Sequence, residues 1–221
     1  IQADLADKNL VYIGTFTTSA VHIGCTGDAI RSVSDIKDRK IRGTGAYGRV
    51  FGEMGGNMVN MSIYKAYQGL DTGLLDCSQG YSYAVTALKQ QEVMKNYTLL
   101  DWGQVGGVGI MMNKDSFDSL SAGEQTILLD TGSAMADEFG RLITSANAAA
   151  IETMKETGVE VIELPQADRG QLIEAGAKHI DAWVEQMNGS GLDGAAILAQ
   201  YRDLIAKYSN ERDTQGYPWT R

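Results

Sequence analysis

Short apolar runs alternate with segments of helical period through the first half of this chain. Asn9 to Thr15 and Ala20 to Cys25, rich in Val, Ile and Tyr, predict two short strands. Ser34-Asp35 offers a cap or turn before a strand over Lys40 to Gly43, and Ala46 to Met54 predicts a short helix closed by Gly55-Gly56. Met58 to Met61 returns as a strand. Ser62 then caps a helix running to about Asp71, with Gly73 as its stop. Leu74 to Ser78 predicts a strand, Tyr83 to Asn96 a helix, and Thr98 to Leu100 and Val108 to Met112 extended chain. Such alternation with short connections predicts an α/β sheet, in which ligands bind beyond the carboxyl ends of the strands. Arg42, Gly43, Ser78 and Gln79 stand at such ends.

The pattern changes after Ser119. Ser119 to Glu156 reads as one long helix crossing between lobes, opened by a capping box of Ser121 and Glu124. A last strand follows over Val159 to Leu164, then amphipathic helices over Gln166 to Met187 and Asp193 to Tyr208. The polar tail from Ser209 to Arg221 reads as weakly ordered. There is no internal repeat.

Charge sharpens this picture. Of the net −9, residues 1–110 contribute nothing, with ten acidic and ten basic side chains, while residues 111–221 carry eighteen acidic and nine basic. Nucleic acid is therefore not expected as a partner, because phosphate neutralisation needs a basic surface. Within the neutral half, Arg31 to Arg49 holds six Lys or Arg against two Asp. Most of these read as a solvated face, but Arg42 is flanked by Ile41 and Gly43 at a strand end. The most apolar stretch, Val105 to Met112, is strand-length and not a membrane span. No basic n-region or signal-type segment stands near Ile1, so any targeting segment is expected to be removed or to lie outside this numbering. The two cysteines, Cys25 and Cys77, are read as buried thiols, with a disulfide as the alternative.

Three chemistries compete. Gly43-Thr44-Gly45-Ala46-Tyr47-Gly48 spells the dinucleotide pattern G-x-G-x-x-G after a strand and before a helix, but no acidic residue follows at the expected second strand end. A tight turn explains the same glycines. His22 and His179 are dispersed and no nucleophile elbow occurs, so neither hydrolytic catalysis nor a metal site is expected. Arg42 is the stronger candidate, since its planar guanidinium matches a carboxylate and, if buried, must have a partner. That partner is either a ligand or one of Asp35, Asp76 and Asp101.

The succession D-I-K-D-R-K-I-R-G, then Y-x-x-L-x-x-G-x-x-D, then E-V-M-K-N-Y-T-L-L-D-W, then N-K-D-S-F-D-S-L resembles the solute-binding proteins of tripartite ATP-independent periplasmic (TRAP) transporters from about Ser19 onward. The resemblance implies a two-lobed α/β clamshell of the type II periplasmic-binding kind, with a long helix crossing between lobes. It implies a non-enzymatic, periplasmic, cofactor-free and monomeric receptor that delivers a small organic acid to a membrane permease. Arg42 then takes the carboxylate, with His22, Tyr47, Gly80, Tyr81, Tyr83 and Trp102 around the ligand. The chain departs from the pattern at Lys65, Gly69 and Cys77. It also has His22 where some relatives carry a second arginine, and Gly80 where they carry an asparagine, which argues against a sialic-acid-like ligand. Relatives begin further upstream, so one lobe is expected to be incomplete. Residues 20–105 and 147–208 would form the ligand-binding lobe, and 1–19 and 106–146 the remnant of the other lobe with the connecting helix. A nucleotide-binding enzyme and a periplasmic sensor module of the same fold are the alternatives.

Overall fold

The computed structural model describes residues 5–104 and 108–221, and the structural statements below concern those residues. The strands are β1 (Leu10–Phe16), β2 (Ala20–Cys25), β3 (Lys40–Arg42), β4 (Asn57–Val59), β5 (Cys77–Gly80), β6 (Asn96–Gln104), β7 (Val108–Asn113) and β8 (Glu160–Glu163). The helices are α1 (Gly45–Glu53), α2 (Ala66–Asp71), α3 (Ser82–Ala87), α4 (Lys114–Asp118), α5 (Ala122–Glu156), α6 (Gln166–Gly189) and α7 (Gly194–Gln215). Short 3-10 turns fill some of the gaps. Among the described residues no helix is long and apolar enough to cross a membrane.

Six strands form one sheet in the order β4-β3-β5-β2-β6-β8. β3 runs parallel to β4 and β5, and β6 parallel to β8, while β2 is antiparallel to both neighbours. Because side chains alternate across the sheet, Ile23, Cys25, Ile41 and Cys77 enter one core with Phe51 of α1 and Leu172 of α6. The opposite face closes over Leu70, Val85, Tyr97, Ala150 and Met154. A Cβ at Gly24 would lie 2.4 Å from Met94 Sδ, so the absent side chain lets that second layer approach.

β1 and β7 form a separate two-stranded antiparallel sheet that lies on the first part of α5. There Gly14 and Gly132 meet backbone to backbone: a Cβ on Gly132 would sit 2.0 Å from the Ile13 carbonyl. α5 runs on to α3 and β8 at the larger sheet, so this one helix of 35 residues spans both units. Its predicted capping box is present, with Glu124 accepting from the Ser121 amide at 2.8 Å.

Several predicted elements shift. Cys25 and Cys77 are not free thiols. The β2–β5 register sets them opposite each other, and they are joined by a disulfide. The tail does not loosen at Ser209, because α7 continues to Gln215 and a last turn stacks Tyr217 on Trp219. The helix predicted over Tyr83 to Asn96 stops at Ala87, and Lys89 takes a left-handed backbone before β6 begins at Asn96. The boundary expected between 105 and 106 falls outside the described residues.

Candidate functional site

The carboxyl ends of β3, β5 and β6 meet the start of β2 along one edge of the larger sheet. The register fixes this arrangement: Arg42 lies beside Ser78, His22 opposite Gly80, and Val21 opposite Trp102. Residues far apart in sequence therefore share one rim.

Arg42 is only 7% exposed. Its Nε donates to the Met61 carbonyl at 3.0 Å and its Nη1 to the Gln79 carbonyl at 2.8 Å. Among the described residues no carboxylate pairs with it. The three candidate acids are engaged elsewhere. Asp35 accepts from the Arg31 and Ser32 amides, Asp76 from the Lys40 amide, and Asp101 holds Arg169 at 3.0 Å. Burial pulls the guanidinium below its ordinary pKa, with the nearby Tyr81 phenol acting in the opposite sense. A guanidinium has five N–H donors, and two are used. One on Nη1 and both on Nη2 remain, which is the fork that a carboxylate fits end-on.

His22, 6% exposed, is placed by an irregularity in the sheet. Between the pairs Val21–Trp102 and Ile23–Thr98, β6 has two more residues than β2, and Asp101 takes a positive φ of 46°. Such bulges re-aim groups beside functional sites. Here the Asp101 amide donates to His22 Nδ1 at 3.4 Å. Burial lowers the imidazole pKa to about 4, outweighing the attraction of Asp101, and Arg169 lowers it further. His22 is therefore uncharged at neutral pH, and its 4.0 Å approach to the Asp101 carboxylate is not an ion pair there.

Aromatic rings frame the edge. Tyr81 and Tyr83 stack with planes 5° apart and centroids at 5.7 Å. Tyr47, in the first turn of α1, meets Trp102 edge-on at 4.9 Å, and Trp102 rests against Phe51. A Cβ at Gly103 would come within 3.0 Å of the Tyr47 hydroxyl. Burial raises the Tyr47 phenol, with Tyr81 and Tyr201 adding in the same direction. Gly80, opposite His22, is loosely surrounded: a Cβ there would meet Ile63 and Val85 at 3.8 and 3.9 Å.

Two contacts brace the glycine turn from within. The Gln79 side chain accepts from the Thr44 amide at 2.9 Å, and a Cβ on Gly48 would press within 2.9 Å of the Gly43 carbonyl carbon. A shallow depression of about 350 Å³ lies over the turn itself, lined by Gly43, Thr44, Gly45 and Gly48 together with Arg49, Met58 and Asn60, but not by Arg42. Among the described residues no His, Cys, Asp and Glu cluster is placed to hold a metal.

Sequence reasoning placed Gln79 at a strand end without a role, and it missed Asn147 and Tyr201. Gln79 holds Arg42 through its carbonyl and Thr44 through its side chain. Asn147 of α5 accepts from the Tyr83 amide and the Ser19 hydroxyl, tying α3 to the crossing before β2. Tyr201 comes from α7 to the neighbourhood of Tyr47. Each is joined across a long sequence separation, so no local motif announces it.

The profile of the bacterial extracellular solute-binding proteins of family 7, DctP, matches residues 1–186. The chain belongs to this family. A relative, the 2,3-diketo-L-gulonate-binding periplasmic protein YiaO of Escherichia coli, is 26% identical over 164 residues, 73% of this chain and 50% of that protein. The Bordetella pertussis extracytoplasmic solute receptor DctP6, solved with pyroglutamic acid, superimposes with a TM-score of 0.82 at 21% identity, over 91% of this chain and 66% of that one. A Rhodoferax ferrireducens TRAP solute-binding protein in complex with benzoate gives 0.82 at 22% identity, over 92% and 65%. The DctP-family fold is thus the two-lobed α/β arrangement read from the sequence. The chain spans about half the length of the curated relatives it matches. Family and neighbours are solute-binding receptors, not enzymes.

Proposed function

We propose that this chain is the carboxylate-binding part of a periplasmic receptor that captures a small organic acid and presents it to a TRAP-type membrane permease. The observation that carries this reading is the unsatisfied charge of Arg42. It is buried, held by two main-chain carbonyls, and unaccompanied by a carboxylate while Asp35, Asp76 and Asp101 are occupied. A buried cation without a counter-ion is costly, and a ligand carboxylate removes that cost. Family members whose structures carry pyroglutamic acid, benzoate or malonate support the ligand class. The Cys25–Cys77 disulfide supports an oxidising compartment.

In this reading residues 20–105 and 147–208 form the binding lobe, with 1–19 and 106–146 belonging to the other lobe and the connecting α5. Tyr47, Gly80, Tyr81, Tyr83 and Trp102 line the ligand. His22 backs the site as a neutral group. The chain binds rather than transforms its ligand, and needs neither nucleic acid nor a second copy. Closure about α5 excludes water from the Arg42 pair and marks the loaded state for the permease.

Thermal melts across a panel of organic acids test the reading, because a ligand that binds only the folded state raises Tm. Stabilisation by at least one acid that disappears in Arg42→Ala is expected. Equal stabilisation of the variant would overturn the clamp.

A further inference from the structure

We propose that the acid taken at Arg42 is an aromatic monocarboxylate, its ring packed among Tyr81, Tyr83, Tyr47 and Trp102. This rests on the carboxylate reading above and narrows it.

The first argument is the charge count at the rim. Arg42 supplies one free fork, enough for one carboxylate. Among the described residues no second cation stands ready beside it. His22 is neutral, and Arg169 is already neutralised by Asp101. Arg49 lines the depression on which Arg42 does not open. The Asp101 carboxylate, half exposed at the same strand edge, would repel a second anionic group. A dicarboxylate would therefore have to desolvate its other end against phenol rings without compensation.

The second argument is that the side-chain amide acceptors near the rim are spent. Gln79 Oε1 takes the Thr44 amide and Asn147 Oδ1 takes Ser19 and Tyr83, while the Ser82 hydroxyl faces Tyr97. A sugar acid, whose hydroxyls must donate as well as accept, finds neither amide oxygen free to receive them.

What the rim does offer is ring surface. Tyr47, Tyr81, Tyr83 and Trp102 are each partly exposed, and they are already mutually arranged in stacked and edge-on geometries. A planar ring continues those geometries, and the Tyr81 phenol is near enough to Arg42 to act on its charge. The phenol groups at its edges also accommodate a single ring hydroxyl.

Titration calorimetry with benzoate, phenylacetate, cyclohexanecarboxylate, succinate and galacturonate on the chain itself tests this. Benzoate or phenylacetate is expected to bind at least about tenfold tighter than cyclohexanecarboxylate and succinate. That preference should fall in Tyr81→Leu, while Arg42→Ala abolishes binding of every acid. The cyclohexane comparison needs no variant, so it decides the matter even if Tyr81→Leu misfolds. Tighter binding of succinate or galacturonate that still requires Arg42 would overturn the aromatic assignment and leave the carboxylate reading standing. Binding that is indifferent to Arg42, or no binding by any of the five, would overturn both.

Discussion

Arg42 donates to the Gln79 carbonyl at 2.8 Å, and Gln79 in turn holds the Thr44 amide through its side chain. One residue thus fixes both the cation and the glycine turn beside it. The guanidinium is oriented by dipoles and not neutralised, which sets a particular balance between stability and binding.

Arg42→Met should separate the two. Removing a buried, uncompensated charge for a side chain of similar length leaves the ligand-free protein as stable as before or raises it, because the desolvation cost disappears. The same change should abolish the acid-induced rise in Tm, losing roughly 1.5–3 kcal/mol or more of binding free energy. Paired melts with and without ligand check this. A variant that loses stability and keeps its ligand response would show that Arg42 is a structural residue.

The acid side of the stability curve should carry the signature of His22. Its pKa falls from 6.5 to about 4 on folding, mainly by burial. The unfolded chain therefore binds more protons between those values, so stability from this group is full above pH 6.5. It is lost as pH falls through about 4, a difference of about 3 kcal/mol in total. Urea unfolding at pH 7, 5.5 and 4 should show wild type losing more than His22→Gln. Parallel curves would place the proton elsewhere.

Much of this fold was legible because local chemistry and tertiary demand agree. The Ser121–Glu124 box marked the start of α5, the Val- and Ile-rich run Ala20 to Cys25 marked β2, and Ile41-Arg42-Gly43 marked a strand end with a turn after it. Arg42 could be singled out, but not its partner, because that depended on where Asp35, Asp76 and Asp101 found other donors. The neutrality of His22 was hidden for a similar reason. It follows from burial at a place where β6 carries a two-residue surplus, which no pattern of apolar positions encodes. The helical continuation to Gln215 was missed because its residues are polar all round, and its end is held by distant contacts such as Trp219 on Gly140.

The disulfide was the plainest miss, and it is easy to examine. Cys25 and Cys77 become neighbours only through the β2–β5 register, across a separation of 52 residues. Denatured, unreduced protein should show no reactive thiol, and two after reduction. Replacing both with Ala should cost about 2–4 kcal/mol through the freed unfolded chain. Two thiols found without reductant would restore the original expectation.

Gly132 supplies the sharpest test of how the smaller sheet sits on α5. By helix propensity alone, Gly132→Ala in the middle of a long helix should stabilise by about 1 kcal/mol. The geometry says the opposite. A Cβ there would lie 2.0 Å from the Ile13 carbonyl oxygen, and the neighbouring Gly14 makes the reciprocal approach to the Gly132 carbonyl at 2.5 Å. Both obstacles are backbone, so no side-chain rotation relieves them, and β1 with its partner β7 must move away from the helix. Overpacking of this kind costs about 1–3 kcal/mol, so a net loss of stability is expected in urea unfolding. Gly123→Ala in the first turn of the same helix, where a Cβ meets nothing within 4 Å, is the control and should be neutral or stabilising. A gain in both variants would mean that β1 does not rest on α5 in solution, and with it would go the close packing by which one helix carries both sheets.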